Sequence, residues 1–296
     1  MAADRVVITG GSGFVGTNLV EFFVDRGWEV RNFDIARPRN ARHFDLWRQV
    51  DLLDRDRLIA ETKAFRPSVF LHFGARTDLD EKQNLAGYAA NIEGVCNVIE
   101  AIRSTPSIER VVFASSQLVC KLGYRPRHDY DYQPSTLYGL SKSIGERVVR
   151  AADDLGATWT IVRPTSLWGP WFDVPYRNFF DAISRNLYVH PSGVKTLKQW
   201  GYAGNAVFQV WRLIQAPVDT VHKRTFYLAD YEPVDLDAFA DTVQRSLGAR
   251  PIRTVPPGLL RAVALAGDLL KILGWKAPPL TTFRYRNLVT EETQDL

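Results

Sequence analysis

The chain has 296 residues, enough to bury a large hydrophobic core. Its 37 Lys and Arg residues and 33 Asp and Glu residues leave a formal charge of +4 without a long basic block, so nucleic acid is not a favoured partner. The 2 cysteines cannot form a disulfide framework, and no Cys/His spacing resembles a zinc site, which predicts a cytoplasmic protein without a metal. No run of 18 apolar residues is present, so we predict no membrane span.

The chain starts with a predicted strand, a glycine-rich turn and a predicted helix. Residues 5–9 are a β-branched run, and residues 14–23 carry apolar side chains at helical spacing. Glycines in the turn allow a sharp bend, a close approach of the backbone to a pyrophosphate, and close packing of helix on strand. A purely structural turn is the alternative. The position of the turn favours a dinucleotide bound by Gly10, Gly13, Phe14, Val15 and Gly16.

An acidic residue follows the second predicted strand, residues 29–33. It lies about 20 residues beyond the glycine turn, where a carboxylate can accept hydrogen bonds from an adenosine ribose and would repel a 2′-phosphate. Asp34 therefore predicts NAD over NADP, although Arg37 and Arg39 could offset that preference. A helix-capping aspartate is the alternative.

Strands and helices continue to alternate. We predict a turn and helix over residues 51–65, a strand over 68–73, a helix over 88–102 and a strand over 110–114. Strands separated by helices of this length imply parallel strands with helices on both faces of the sheet. A ligand then lies at the carboxyl ends of the strands, the position of Asp34, His72, Ser115 and Ser116.

A tyrosine and a lysine four residues apart come next, in the helix-like stretch 135–146. On a helix, Tyr138 and Lys142 share one face, and an ammonium beside a phenol favours the phenolate. The tyrosine could then exchange a proton near neutral pH. Taken alone, the pair is a weak signal and more often reflects a packed tyrosine beside a solvated lysine, so the surrounding motifs must decide.

The motifs of the chain follow a recognisable order. They are Thr9-Gly10-x-x-Gly13-x-x-Gly16, Asp51-Leu52, His72-Phe73-Gly74-Ala75, Asn91-x-x-Gly94-x-x-Asn97, Ser115-Ser116, Tyr138-x-x-x-Lys142, Arg163-Pro164 and Gly169-Pro170. This order resembles the extended short-chain dehydrogenase/reductase family, in the branch of nucleotide-sugar epimerases, dehydratases and 4-keto reductases. The resemblance is close to about residue 163 and looser beyond it.

The resemblance implies an α/β fold and the roles of several residues. A Rossmann-type doubly wound parallel sheet over residues 1–165 would bind NAD, and a smaller C-terminal α/β lobe over 166–296, interleaved with the last sheet strands, would bind the substrate. Tyr138 would act as acid/base, Ser116 would hydrogen-bond the substrate oxygen, and Lys142 would hold the nicotinamide ribose and lower the pKa of Tyr138. Further cofactor contacts are expected from Asp51, Leu52, Phe73, Gly74, Ala75, Asn91, Ser115 and Arg163.

Departures from the family pattern narrow the chemistry. The family's 4,6-dehydratases place an Asp-Glu pair directly after the catalytic Ser/Thr, because removal of water needs an extra acid and base. This chain has Gln117 and Leu118 there, which disfavours sugar 4,6-dehydration. Cys120 stands where the family commonly has a tyrosine; it could act as acid or base on the sugar, or be a small buried apolar residue.

The second half of the chain is expected to hold the substrate. Relatives carry an asparagine at the position of Ser166, and an arginine that faces the diphosphate at the position of Lys198, where a surface lysine is the alternative. We predict helices over residues 205–215 and 236–247 and a strand over 225–229. Predicted substrate contacts are Gln117, Ser166, Asn178 and Lys198.

Together these features predict an enzyme, an NAD-dependent nucleotide-sugar 4-epimerase that acts through a transient 4-keto sugar. A one-way reductase of a nucleotide-4-keto-6-deoxysugar would use the same residues and is the alternative. A non-catalytic dinucleotide-binding scaffold is less favoured because Tyr138 and Lys142 are both present.

Two expectations concern assembly and surface. The resemblance predicts a homodimer through the helix that carries Tyr138, where Ile144, Val148 and Val149 form an apolar stripe. The helix-like stretch 259–273 is apolar but too short and too charged to cross a bilayer, and an interfacial role stays open for it.

Overall fold

The computed structural model describes residues 4–79, 81–152, 154–173, 177–275, 278 and 280–293. The chain divides into two compact units. The first unit comprises Met1–Phe172, Gly201–Asp230 and Leu296, and the second comprises Asp173–Trp200 and Tyr231–Asp295. The functional division at residue 165 that the sequence suggests stays a prediction.

Strands and helices are numbered in chain order. The strands are β1 (Arg5–Thr9), β2 (Glu29–Asp34), β3 (Trp47–Gln49), β4 (Val69–His72), β5 (Arg110–Ala114), β6 (Thr158–Pro164), β7 (Ser166–Trp168), β8 (Val189–Pro191), β9 (Leu197–Lys198), β10 (Trp200–Tyr202), β11 (Arg224–Leu228), β12 (Val234–Asp235) and β13 (Arg253–Val255). The helices are α1 (Phe14–Val24), α2 (Arg55–Phe65), α3 (Ala89–Arg103), α4 (Leu137–Ala151), α5 (Arg177–Ser184), α6 (Ala203–Gln215), α7 (Val218–Val221), α8 (Leu236–Leu247), α9 (Pro257–Ile272) and α10 (Thr282–Val289).

A seven-stranded sheet, counted over the described residues, forms the centre of the first unit. Its order is β11-β6-β5-β4-β1-β2-β3, and its neighbouring strands pair in parallel. The order turns back between β1 and β4, as in a doubly wound sheet, where a crevice opens at the carboxyl ends of these two strands. The predicted Rossmann-type α/β fold is confirmed.

The two faces of this sheet are covered by different helices. Successive side chains of a strand point to opposite faces, so Val7 joins one buried cluster while Val6 and Ile8 join the other. The cluster around Val7 includes side chains from α2, α3 and α4, and the other includes side chains from α1 and α6. Full burial of one such aliphatic side chain contributes about 1.5–3 kcal/mol, so both layers hold the sheet firmly.

The second unit contains two small strand pairs and a cluster of aromatic rings. Strands β9 and β12 pair antiparallel, and β8 and β13 pair parallel. The ring of Phe179 on α5 stacks on that of Phe239 on α8 at 6.0 Å and meets the ring of Trp200 edge-on at 5.3 Å. Such offset and edge-on pairs are the favoured packing of aromatic rings, so the unit has its own core. Over the part of the chain that the structure describes, no helix combines the length and the apolar character needed to cross a bilayer.

Candidate active site

The start of helix α4 places Tyr138 next to the segment that carries Ser116. Thr136 caps the helix, because its hydroxyl accepts a hydrogen bond from the N–H of Gly139 at 3.0 Å. A Cβ on Gly139 would overlap the carbonyl oxygen of Leu118. Glycine at this position therefore lets the first turn of α4 approach the 3₁₀ turn Gln117–Val119, which directly follows Ser116.

The three candidate catalytic side chains gather at the carboxyl end of β5. Ser116, Tyr138 and Lys142 are all buried. The Ser116 hydroxyl accepts the N–H of Leu118 at 3.1 Å, and the Lys142 ammonium donates to the carbonyl of Ala114, the last residue of β5, at 2.9 Å. The Tyr138 ring packs 6.2 Å from that of Tyr88. Sequence positions 116, 138 and 142 are thus brought together by the β5–α4 junction.

Burial changes the electrostatics of Lys142. Loss of solvent lowers the pKa of its ammonium to about 8, although the nearby Glu146 carboxylate acts in the opposite direction. A lysine with this pKa is charged at neutral pH and loses its charge in mildly alkaline solution. The charge of Lys142 can therefore be varied by changing the pH within the range of ordinary assays.

We expect NAD affinity to fall as the pH rises through about 8, because Lys142 then loses the charge that its predicted ribose contact uses. For one proton the loss approaches tenfold per pH unit. Lys142→Met should bind NAD more weakly and without this pH dependence. Calorimetric titration of NAD between neutral and alkaline pH measures both. A wild-type affinity that stays constant over this range would contradict the assignment.

A small, partly open cavity adjoins Lys142. It holds about 20 Å³, enough for about one water molecule, and its polar lining includes His72, Asn91, Ser115, Lys142 and Glu146. Burial, together with the Lys142 charge, lowers the pKa of His72 to about 3. His72 is therefore neutral near pH 7, and its Nδ1 lies 2.8 Å from the Thr9 hydroxyl. It positions β1 against β4 and is not an acid/base candidate.

The glycine turn fits the diphosphate of a dinucleotide. Gly10 has φ +71°, and a Cβ there would lie 2.6 Å from the backbone nitrogen of Gly74, while a Cβ on Gly16 would overlap the carbonyl of Gly10. Folding alone thus requires glycine at 10 and 16. A Cβ on Gly13 would meet only the Gly10 carbonyl, at 3.2 Å, which a small shift relieves. Gly13 is the N-cap of α1 and has no side chain that could cap the helix. A phosphate can therefore enter the space beside Gly13 and bind the N-terminus of α1.

Asp34 is held at the edge of this turn. Its carboxylate accepts the N–H groups of Ser12 at 3.0 Å and Ala36 at 2.9 Å. Burial raises the pKa of Asp34, and these hydrogen bonds oppose the rise. Arg39 donates to the carbonyls of Ser12 at 3.3 Å and Trp171 at 2.8 Å. Because its guanidinium is tied to carbonyl groups, Arg39 is poorly placed to bind a 2′-phosphate.

We therefore expect NAD to bind at least about tenfold more tightly than NADP, equivalent to about 1.4 kcal/mol. Asp34→Asn removes the charge while keeping the shape, and should narrow this ratio mainly by improving NADP binding. Asp56→Asn, the same change at a carboxylate that is 95% exposed, is the control. Fluorescence titration of the three proteins with both cofactors gives the ratios; tighter NADP binding by the wild type would reverse the assignment.

Other predicted cofactor residues line the same edge of the sheet. The segment Phe73–Ala75 lies against the glycine turn, where the Gly74 N–H donates to the Thr9 hydroxyl at 3.1 Å. The Leu52 carbonyl accepts the side-chain amide of Asn97 at 2.8 Å, and exposed Asp51 caps the N–H of Leu53 at 2.9 Å. Asn91 bridges α3 to α4 and to residue 76, since its amide donates to the Ser141 hydroxyl at 2.9 Å and its oxygen accepts the Arg76 N–H at 2.9 Å.

Ser115 and Arg163 have contrasting surroundings. The buried Ser115 hydroxyl has no hydrogen-bond partner among the described residues, as expected for a group that awaits a ligand or water. Arg163 is buried and binds the Glu146 carboxylate through two nitrogens, at 2.8 and 2.9 Å, and the Asp129 carbonyl at 2.7 Å. Burial lowers the pKa of Arg163, but its contacts with Glu146 outweigh this and leave it raised. In the structure Arg163 is bound by other residues of the protein, and its contact with the cofactor stays a prediction.

The four predicted substrate residues fall into the two units. In the first unit, the Gln117 amide lies 3.4 Å from the Ser166 hydroxyl, and its buried Oε1 has no hydrogen-bond partner among the described residues. In the second unit, Asn178 is half-buried on α5. Lys198 is buried, and its ammonium lies 3.0 Å from Asn287 Oδ1 and 3.5 Å from the Glu292 carboxylate. The diphosphate contact of Lys198 stays a prediction, and the observed geometry is that of an internal ion pair.

Sequence reasoning missed a group beside Tyr138. The Arg76 guanidinium lies 5.1 Å from the Tyr88 ring and binds the Asp78 carboxylate at 2.6 Å, while the Tyr88 hydroxyl donates to the Asp78 carbonyl at 2.7 Å. This group therefore supports the Tyr88 ring against which Tyr138 packs. The position of Arg76, directly after the His72–Ala75 motif at the end of β4, is the sequence signal that could have identified it.

Cys120 behaves as a buried apolar residue. Burial raises the pKa of its thiol, and Sγ lies 3.3 Å from the carbonyl oxygen of Asp131. A protonated thiol bonded to the backbone is a weak acid/base candidate. Among the described residues there is also no group of three or more His, Cys, Asp and Glu side chains arranged to hold a metal ion.

Comparison with known proteins identifies the family. The model of the NAD dependent epimerase/dehydratase family matches residues 6–229, which include the whole of the site described above. The chain belongs to this family. The resemblance to extended short-chain dehydrogenases/reductases is thereby confirmed, and NAD is the cofactor of the family. The chain is therefore a member of an enzyme family that comprises NAD-dependent epimerases, dehydrogenases and reductases.

Individual relatives differ in what they act on. A 3 beta-hydroxysteroid dehydrogenase/Delta 5→4-isomerase from Mycobacterium tuberculosis is 27% identical over 83% of this chain and 70% of its own length. The undecaprenol-linked N-acetylglucosaminyl 4-epimerase of Escherichia coli O157:H7 is 27% identical over 69% of this chain and 61% of its own. The fold matches that of UDP-glucose 4-epimerase from Thermus thermophilus in complex with NAD, with a TM-score of 0.67 and 21% identity over 96% of this chain and 100% of that one.

Proposed function

We propose that this protein is an NAD-dependent nucleotide-sugar 4-epimerase. The observation that carries the proposal is the convergence of Ser116, Tyr138 and Lys142 at the carboxyl end of β5, followed by Gln117 and Leu118 and not by an acidic pair. This set can move a proton to and from one hydroxyl and offers no second acid and base for loss of water. The epimerases among the compared proteins support the same chemistry.

The residues would act in a fixed order. Tyr138 takes the proton of the sugar C4 hydroxyl, while Ser116 donates a hydrogen bond to that oxygen and Lys142 stabilises the phenolate. The residues of the glycine turn and Lys142 would hold NAD, which would supply a reversible hydride acceptor for C4. After the 4-keto sugar has turned over in the site, the protonated Tyr138 returns its proton to the oxygen, and the C4 configuration is inverted. The site must hold the ketone until this return, which its burial favours.

The alternative is a one-way reductase or dehydrogenase. It has its own support, because the Mycobacterium tuberculosis relative is named as a steroid dehydrogenase and because Lys198, the predicted diphosphate contact, has partners inside the protein. The two functions differ in their redox balance. An epimerase has no net consumption of NAD, whereas a reductase consumes one NADH for each product formed.

The test measures inversion at C4 and the net change of NADH on one panel of nucleotide sugars. Wild type and Tyr138→Phe are incubated with UDP-, GDP- and dTDP-sugars, and the sugar configuration is followed by NMR together with absorbance near 340 nm. Inversion at C4 without net NADH, absent in Tyr138→Phe, is the expected result. Stoichiometric change of NADH with a ketone or hydroxyl substrate would establish the reductase or dehydrogenase. Equal behaviour of both proteins across the whole panel would favour a non-catalytic scaffold.

Assembly and cofactor choice belong to the same proposal. NAD is preferred over NADP because Asp34 is held beside the glycine turn. The predicted homodimer would use α4, on which Ile144 and Val148 are only partly buried. Val149, the third residue of the predicted stripe, is buried in the core cluster against the sheet and is not available for such a contact. Light scattering at micromolar concentration tests it, and a monomer would contradict it.

A further inference from the structure

The ring of Tyr138 has a support that its own helix does not supply. Helix α4 fixes the Tyr138 backbone, but the side chain still turns about two single bonds, so the direction of its hydroxyl depends on what the ring contacts. Tyr88 is fully buried, and its ring centre lies 6.2 Å from that of Tyr138 with the two planes tilted by 54°. Aromatic rings favour such tilted contacts. Tyr88 is therefore placed to set the orientation of the Tyr138 ring.

Tyr88 is itself held at both of its ends. Its backbone is the N-cap of α3, and its hydroxyl donates to the carbonyl of Asp78 at 2.7 Å. The Arg76 guanidinium lies over the Tyr88 ring, 5.1 Å from its centre, a distance at which a cation and an aromatic ring attract each other. The Tyr88 ring is thus fixed along its length and covered on one side.

The Arg76 side chain is fixed by the same short segment. Its Nε and Nη2 donate to the two carboxylate oxygens of Asp78, at 2.6 and 3.2 Å, and its Nη1 donates to the carbonyl of Gly87 at 2.9 Å. A Cβ on Gly87 would lie 2.6 Å from Nη1, so a side chain there would push the guanidinium away. Arg76 therefore joins Asp78 to the residue before Tyr88 and closes a ring of contacts around the Tyr88 side chain.

A second set of contacts links residue 76 to the backbone of Tyr138. The Asn91 side chain accepts the N–H of Arg76 at 2.9 Å and donates to the Arg76 carbonyl at 3.0 Å. The same amide donates to the Ser141 hydroxyl at 2.9 Å, and this hydroxyl donates to the carbonyl of Tyr138 at 2.7 Å. Residue 76 is thus connected to both the ring and the backbone of Tyr138.

We propose that Arg76 and Tyr88 are positioning residues, which hold the Tyr138 hydroxyl where it exchanges a proton with the substrate. This inference rests on the acid/base role proposed for Tyr138. The effect on rate is expected to be large, because a misplacement of about 1 Å at a reacting group can cost about 100-fold. Arg76 acts through geometry and not through its charge, since the Asp78 carboxylate pairs with its guanidinium.

The first measurement is steady-state kinetics of the full chain on a substrate that the wild type converts. Tyr88→Leu removes the supporting ring and should lower kcat about tenfold or more, while NAD affinity stays nearly unchanged. Tyr88→Phe keeps the ring and should recover most of this loss. Arg76→Met should lower kcat in the same direction, and Arg76→Lys should not restore it, because an ammonium cannot form the two-point contact with Asp78.

Two control variants make matched changes away from Tyr138. Phe23→Leu removes a ring that is as fully buried as that of Tyr88, from the cluster around α1 and α6. Arg103→Met breaks an ion pair with Glu100 on α3, at a side chain that is 34% exposed, against 39% for Arg76. Both controls should keep the wild-type kcat, although Phe23→Leu lowers the stability of the fold as Tyr88→Leu does.

The second measurement needs no substrate. In protein labelled with carbon-13 at the tyrosine Cζ, the signal of Tyr138 among the 11 tyrosines is the one that Tyr138→Phe removes. We expect Tyr88→Leu and Arg76→Met to shift this signal, and the two controls to leave it in place. A Tyr138 signal that stays in place in both variants would overturn the proposal.

The kinetic results separate two kinds of failure. Turnover retained by Tyr138→Phe would overturn the proposed acid/base role itself. An inactive Tyr138→Phe beside fully active Tyr88→Leu and Arg76→Met would overturn only the positioning roles. The positioning roles also fail if the controls lower kcat as much as Tyr88→Leu and Arg76→Met do, because the loss would then reflect general damage to the fold.

Discussion

Replacing Tyr138 by phenylalanine should lower kcat by about 100-fold or more while NAD affinity stays nearly unchanged. The variant loses only the hydroxyl that exchanges a proton with the substrate oxygen. The ring should keep its place, because it packs against Tyr88 and its helix is fixed by the contact of Gly139 with Leu118. Steady-state kinetics on a substrate confirmed for the wild type, together with an NAD titration, separate the two effects.

Two further variants show whether Tyr138 acts with its neighbours. Ser116→Ala should reduce turnover and leave NAD binding intact, at the cost of about 1 kcal/mol of stability because its hydroxyl caps the 3₁₀ turn. Lys142→Ala should reduce turnover and NAD affinity together. The control is Tyr231→Phe, the same change at a tyrosine that is 81% exposed. Near-wild-type turnover of Tyr138→Phe would show that another group supplies the proton.

The sheet and its cofactor turn could be predicted because their signals are local. The β-branched run 5–9 is β1, residues 110–114 are β5, and the glycine turn lies between β1 and α1 as its spacing indicates. Asp34 and His72 end strands β2 and β4, and Ser115 directly follows β5; because all three strands run parallel in one sheet, these residues come to the same edge. Chain connectivity fixes such positions without knowledge of side-chain packing.

The buried charges could not be predicted, because they depend on pairs far apart in the chain. Arg163 and Glu146 are 17 residues apart, and Lys198 and Glu292 are about 94 residues apart in the numbering, yet each pair meets in the interior. Lysine, arginine and glutamate are usually exposed, so a sequence pattern assigns them to the surface or to a ligand. The outward side of α9 is the reverse case: its leucines indicate a buried side, and no described residue covers them.

The ion pair between Glu146 and Arg163 should be the most sensitive polar contact of the fold. Both side chains are about 1% exposed, and the guanidinium holds the carboxylate through two hydrogen bonds. Arg150 lies 3.4 Å from the same carboxylate. We expect Glu146→Gln to lower the free energy of unfolding by about 3–5 kcal/mol, because it leaves buried cations without their counter-charge. Urea denaturation, with NAD absent, measures the change.

A matched pair separates this effect from ordinary surface charge. Glu100 and Arg103 on α3 are 2.7 Å apart but about one-third exposed, so Glu100→Gln should change stability by no more than about 1 kcal/mol. Arg163→Met combined with Glu146→Met should cost less than the sum of the single changes, because it removes both charges of the pair. Equal losses for Glu146→Gln and Glu100→Gln would refute the buried-pair assignment.

Glu146→Gln should also change the titration of Lys142, which lies one helical turn away on α4. The Glu146 carboxylate partly offsets the effect of burial on the pKa of Lys142. Without it, Lys142 loses its proton at lower pH, and the fall in NAD affinity should begin below pH 8. The same NAD titration series measures this shift in protein that is still folded. A variant that is destabilised but keeps the wild-type pH profile would show that Glu146 supports the fold without acting on Lys142.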